Sequence, residues 1–210
     1  MDWPERFEQA AARYTAGESR AADQRQLTQL ANAAWAAGLC LLMAGRNAGA
    51  REWLQRAARR YRESWDAGAP PDAWGRPIAA MKALLLAGDD ASAVAGWALD
   101  AGAEEAESPI GRYAAVLALL VLGRDGEARA ATEVLRGSDE FPHDVAAALA
   151  ALANGESAAY AVAVERVLHS FETREAFLED VPVADTALVL EALAAPRGLA
   201  SGLRPSERLP

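Results

Sequence analysis

Residues 31–57 read ANAAWAAGLCLLMAGRNAGAREWLQRA, and this stretch decides the fold. Four small residues and one leucine recur through it at helical offsets, at Gly38, Gly45, Ala50, Leu54 and Ala57. Small side chains at such offsets let two antiparallel helices approach closely. Gly45 ends the first helix, because glycine enters the left-handed conformation without steric cost. The stretch therefore predicts a helical hairpin.

Helix patterns continue along the rest of the chain. A first helix starts after Asp2, with Pro4 near its beginning, and runs to about residue 15. Further helices are predicted at residues 22–44, 47–66, 75–87, 90–101, 109–122, 125–136, 142–153, 157–170 and 183–195. No stretch alternates with period two for long enough to indicate a strand. The chain is therefore expected to be all-α.

The domain organisation follows from the positions of proline and glycine. Residues 68–72, with sequence GAPPD, form the best internal linker and a candidate flexible break. Residues 196–210 carry two glycines and three prolines, which favours an irregular C-terminal tail. We therefore expect one helical domain over residues 1–195, followed by that tail.

Glycines between predicted helices recur at intervals near 34 residues, at Gly45, Gly88, Gly123 and Gly155. With the small residues around them, they make the chain similar to the tetratricopeptide repeat family over about residues 31–174. The unit that starts at Ala31 matches at all five positions quoted above. The second unit keeps Gly88, Ala93 and Trp97; the third keeps Gly123 and Ala128; the last keeps Ala148 and Gly155.

This resemblance implies antiparallel helical hairpins stacked in a right-handed array, with the last helix, near residues 183–195, as a C-terminal cap. In that family the first helix of each pair lines a concave groove that binds a protein or peptide. Carried over by position, the resemblance implies these partner-binding residues, the arginine being adjacent to a matched position: Asn32, Trp35, Lys82, Arg112 and Tyr113.

Composition excludes several classes of partner. The net charge of −9 argues against nucleic acid, because phosphate binding needs a basic face. No apolar run approaches the ~20 residues that span a bilayer, and the N-terminus lacks a signal-peptide pattern. We therefore expect a cytoplasmic protein that binds no membrane. The arginine and alanine bias is typical of a GC-rich coding sequence and suggests a bacterial or archaeal source.

Candidate chemistry in the sequence is sparse. Cys40 stands alone, and the two histidines, His143 and His169, lack the neighbours that a metal site or a catalytic base needs. We therefore expect no catalytic residue, no metal and no cofactor. Arginines interleave with aromatic residues after Trp53, which suggests an anionic docking patch at Arg56, Arg59 and Arg60.

The leading functional hypothesis is a non-enzymatic helical-repeat module that binds a protein or peptide. One alternative is a small acidic immunity protein that neutralises a bacterial toxin, because an acidic surface speeds association with a basic target. A second alternative is a helical enzyme or ligand-binding protein with an enclosed pocket. An apolar concave face also admits a homodimer.

Overall fold

The computed structural model describes residues 1–210, and it confirms an all-helical chain with ten α-helices and no strand. The α-helices are α1 (Trp3–Glu18), α2 (Gln24–Met43), α3 (Asn47–Asp66), α4 (Gly75–Ala87), α5 (Ser92–Asp100), α6 (Pro109–Val121), α7 (Asp125–Arg136), α8 (His143–Asn154), α9 (Ser157–Thr173) and α10 (Asp185–Ala194). Short 3₁₀ turns lie at Leu178–Asp180 and Ala195–Arg197.

The first helix continues past its predicted end. We predicted an end near residue 15, but α1 continues through Gly17 to Glu18. Gly17 instead allows a close contact, because an added Cβ there would lie 2.9 Å from Leu30 Cδ2. The glycine therefore serves the packing of α1 on α2.

The hairpin of α2 and α3 has the close packing that residues 31–57 predict. A Cβ added to Gly38 would lie 2.7 Å from Leu54 Cγ, closer than real side chains pack. Gly45 lies between the two helices with a φ of +69°, in the left-handed region that favours glycine. Both glycines are therefore required by this crossing.

Consecutive helices pack against one another along the chain, and their apolar faces form two clusters. One cluster lies among α1, α2 and α3, and the other among α6 to α10. Helices α4 and α5 contribute to both clusters, and α4 also packs on α3. The predicted break at 68–72 is a turn between two packed helices.

The chain returns across the array after α9. The 3₁₀ turn at Leu178–Asp180 contacts α2, and α10 packs on α4, α8 and α9. We expected α10 to cap the C-terminal end of the stack, and it also reaches α4, near the middle of the chain. The adjacent residues Val189 and Leu190 project from different sides of α10, and both are buried. The helix therefore has apolar contacts on two sides.

The residues after Arg197 form no helix and pack back on the domain. Leu199 is buried, and Leu203 and Leu209 pack against the larger apolar cluster. Arg204 and Ser206 both bond to the Glu172 carboxylate on α9. No helix combines the length and the apolar character that a membrane crossing requires.

Candidate functional site

Three of the predicted binding residues lie together on the face that α2, α4 and α6 share; it was predicted to be the concave groove, and we keep the name concave face for it. Lys82 Nζ lies 5.7 Å from the centroid of the Trp35 ring. Burial raises the pKa of the nearby Tyr113 hydroxyl above its usual value, and the charge of Lys82 opposes that shift without cancelling it. These side chains come from α2, α4 and α6, the first helices of three predicted hairpins.

Residues Leu178–Thr186 cover this face, and we call them the inner segment. Lys82 Nζ donates to Asp185 Oδ2 at 2.6 Å and to Thr186 Oγ1 at 3.1 Å. Val181 and Val183 are buried in the same apolar cluster as Trp35. Trp35 is only 3% exposed, so the inner segment occupies the place where a groove was predicted.

Two arginines of α1 hold the start of the inner segment. Arg6 donates to the carbonyl oxygen of Asp180 at 2.6 Å, and Arg13 pairs with the Glu179 carboxylate at 3.0 Å. Glu179 and Asp180 both have a φ of +56°, which is uncommon for residues other than glycine. Such a conformation costs about 1 kcal/mol or more per residue, and the contacts from α1 offset that cost.

The ion pair beneath the inner segment is largely shielded from solvent, with side-chain exposures of 12% for Lys82 and 17% for Asp185. Burial lowers the pKa of Lys82, but the charge of Asp185, the nearby Tyr113 and the hydrogen bond to Asp185 together outweigh burial, so the pKa lies above its ordinary value. The ammonium group is therefore charged at neutral pH. It joins α4 to α10 across the concave face.

The remaining two predicted groove residues have separate places. Asn32 Oδ1 accepts a hydrogen bond of 2.7 Å from the Tyr61 hydroxyl, within the packed concave face. Arg112 lies outside that face, where its Nε donates to the carbonyl oxygen of Ala106 at 3.3 Å. The five predicted residues therefore form one covered group of four and one residue on another surface.

The predicted anionic patch on α3 is largely satisfied within the chain. The Arg56 guanidinium stacks over Trp53, 4.4 Å from the ring centroid. Arg60 bonds to Glu18 and Glu63, each at 2.7 Å, and to the Tyr14 hydroxyl. Arg59 alone is exposed and unpaired, beside a shallow cleft between α3 and α5.

An open cleft lies between α6, α7 and the preceding connection, residues 101–108, and we call it the acidic cleft. It has a volume of about 530 Å³. Its apolar surface comes from both helices, at Ala115, Leu119, Ala130, Ala131 and Val134. Its rim carries Glu104, Glu105 and Glu107, which are exposed and form no ion pair within the chain.

Sequence reasoning missed the acidic cleft, although α7 carries a signal for it. Ala128, Thr132 and Leu135 form the buried side of this helix. Ala130, Ala131 and Val134 form a second apolar stripe, and Val134 is 51% exposed. A helix with one apolar side packed and a second side uncovered indicates room for another element.

The two histidines and the cysteine lie apart. His169 Nδ1 is 3.7 Å from a Glu172 oxygen, and no group of three histidine, cysteine or acidic side chains is placed to hold a metal ion. Burial raises the pKa of the Cys40 thiol to about 11.

Comparison with protein-family models, curated proteins and solved structures gave no match. The role of the chain is therefore argued from its own surfaces.

Proposed function

We propose that this chain is a non-enzymatic, protein-binding helical-repeat module, and that the acidic cleft receives the partner. The observation that supports this proposal best is the uncovered apolar stripe of α7. Val134 lies in it, half exposed, and no element of the chain packs over it. Apolar surface left open beside charged residues is typical of interaction sites.

A tetratricopeptide-like arrangement is part of the proposal. Four successive pairs, from α2–α3 to α8–α9, each have a glycine after the first helix. All four glycines adopt a left-handed conformation with φ near +70°, at Gly45, Gly88, Gly123 and Gly155. A common turn at each hairpin supports a repeated unit, and repeat arrays present extended surfaces to partners.

The charges of the acidic cleft favour a basic partner. Glu104, Glu105 and Glu107 surround an apolar floor, and the whole chain carries a net charge of −9. A basic amphipathic helix would place its apolar side on Val134 and its cationic residues among the glutamates. The charge of the chain would also speed encounter with such a partner. A basic toxin would be one such partner.

The test uses a fluorescein-labelled amphipathic helical peptide with a leucine stripe flanked by arginines. A second peptide carries glutamate in place of every arginine. Binding is measured by fluorescence anisotropy at low and at high salt. We expect the basic peptide to bind and the acidic peptide not to bind. Replacing the three rim residues together (Glu104→Gln, Glu105→Gln and Glu107→Gln) should weaken binding by about tenfold, since each exposed pair contributes up to about 1 kcal/mol.

A matched control separates the acidic cleft from the overall charge. Glu8, Glu52 and Asp72 are exposed and unpaired, and the replacements Glu8→Gln, Glu52→Gln and Asp72→Asn change the net charge equally. This variant should keep most of the affinity, and Val134→Asp should lose it. Equal losses in both triple variants, or full binding by Val134→Asp, would overturn the proposal. Sedimentation velocity on the free chain tests whether a second copy covers the cleft instead.

A further inference from the structure

A second cavity lies where the N-terminal ends of α6, α8 and α10 meet, on the far side of α6 from the acidic cleft. It has a volume of about 480 Å³, within the range of small-molecule sites. Its walls include Tyr113, Phe141, Val145, Phe171, Arg174 and Thr186. The walls are therefore mostly apolar, with a few polar groups among them.

Tyr113 is the unusual member of this lining. Three of the four tyrosines of the chain donate their hydroxyl hydrogen bonds to Glu18, Asn32 and Glu191. Tyr113 is 8% exposed, and its hydroxyl makes no hydrogen bond within the chain. Trp97 Nε1 is the one buried side-chain polar atom without a hydrogen-bond partner, so the Tyr113 hydroxyl reaches the open cavity and is free to donate to an acceptor bound there.

The positive groups around the cavity favour an anion as that acceptor. Arg174 stacks on Phe171, 3.6 Å from the ring centroid, and donates only to Ser170. Arg174 forms no ion pair; burial lowers its pKa, and the charge of Asp185, which pairs with Lys82, opposes that shift. Helix α8 begins at His143 without a side-chain cap, which leaves amide groups of its first turn unpaired.

Two further residues limit the charge of the ligand. Glu140 and Asp144 also line the cavity and bring negative charge to its edge. They would repel phosphate esters and other polyanions more strongly than a single carboxylate. Phe141, Val145 and Phe171 offer apolar surface for the rest of the molecule.

We propose that this cavity binds a small monocarboxylic acid with an apolar body. The carboxylate accepts hydrogen bonds from the Tyr113 hydroxyl and the Arg174 guanidinium, and the apolar body packs on Phe141 and Phe171. This site goes beyond the proposed function, because it is separate from the acidic cleft and takes a different class of ligand.

The test uses phenylacetate as the probe and phenylacetamide as its neutral counterpart. Binding to the full chain is measured by ligand-observed NMR and by isothermal titration calorimetry. We expect phenylacetate to bind at least about tenfold more tightly than the amide, because hydrogen bonds to charged groups contribute about 1.5–3 kcal/mol. Phosphate alone should not compete.

Variants assign the binding to named groups. Tyr113→Phe and Arg174→Met should each weaken phenylacetate binding by about tenfold or more, because each removes a hydrogen bond to the charged carboxylate. Arg166→Met removes an exposed arginine of α9, the helix that Arg174 directly follows, and should leave binding unchanged. Far-UV circular dichroism confirms that each variant is folded. Equal affinity for acid and amide, no binding of phenylacetate, or full binding by both site variants would overturn the inference.

Discussion

The concave face and the acidic cleft both combine apolar surface with charged side chains, yet only the cleft is open. On the concave face the charges are matched within the chain, Lys82 by Asp185 and Arg13 by Glu179. Around the acidic cleft, Glu104 and its two neighbours form no ion pair, although Arg112 lines the same cleft. The difference teaches that pairing of charge, more than a predicted groove position, distinguishes a surface already used by the fold from one left for a partner.

The largest expected effect comes from breaking the ion pair of the concave face. Lys82→Met leaves Asp185 shielded from solvent without a counter-charge, and removing one partner of a buried pair costs about 3–5 kcal/mol. Urea unfolding followed by tryptophan fluorescence measures this cost. The double variant Lys82→Met/Asp185→Leu should recover much of the lost stability. If Lys82→Met were as stable as the unmodified chain, the packing of the concave face would not depend on the inner segment.

A smaller loss of stability should follow from crowding the wall of the acidic cleft. A Cβ added at Gly111 would lie 2.4 Å from Ala106 Cβ and 2.8 Å from Trp74 Nε1. Gly111→Ala should therefore cost about 1–3 kcal/mol, because a well-packed site resists added volume. Thermal unfolding measures the change.

Gly96→Ala is the matched control, since nothing lies within 4 Å of its added Cβ. This substitution should be neutral or stabilising by up to about 1 kcal/mol, because alanine favours helix more than glycine does. If Gly111→Ala behaved like its control, the wall of the acidic cleft would not be fixed by this contact.

The smallest effect concerns the tail beside the inner segment, where Ala184 N donates to the carbonyl oxygen of Arg208. Hydrogen bonds from Arg204 and Ser206 lower the pKa of Glu172 to about 2. An unperturbed glutamate has a pKa near 4.3. This carboxylate therefore contributes stability above pH 4.3, and the contribution is lost as the pH falls towards 2.

Carbon-detected NMR titration of the Glu172 carboxyl group tests this expectation, with Glu172→Gln to assign the signal. We expect the midpoint near pH 2, with the tail still protected from amide exchange at pH 4. A midpoint near 4.3 would mean that the tail does not hold this carboxylate.

Local packing was readable from the sequence, and long-range placement was not. The spacing of Gly38, Gly45 and Leu54 describes a contact between neighbouring helices, so it predicted the first hairpin correctly. The position of α10 depends on which distant helices its two apolar sides contact, and the sequence of α10 itself does not indicate those helices. Lys82 therefore looked like an exposed groove residue, although Asp185, its partner, lies on α10.

The acidic cleft was missed for a related reason. The glutamates at 104–107 are typical of a solvated loop, and only the packing of α6 on α7 places them beside Val134.

The anionic patch on α3 shows the opposite error. Arg56 and Arg60 looked free because the aromatic and acidic groups that hold them come largely from α1.

The central claim is that the inner segment closes the concave face, and Lys82 offers a direct measurement because it is the only lysine of the chain. An amine-reactive reagent is applied to the native protein, and the modified sites are found by mass spectrometry. The N-terminal amine, on the exposed Met1, serves as the internal reference, and urea-unfolded protein shows that Lys82 can react. We predict that Lys82 stays unmodified in the native protein while the N-terminal amine reacts. Modification of Lys82 to the same extent in native and unfolded protein would contradict the claim.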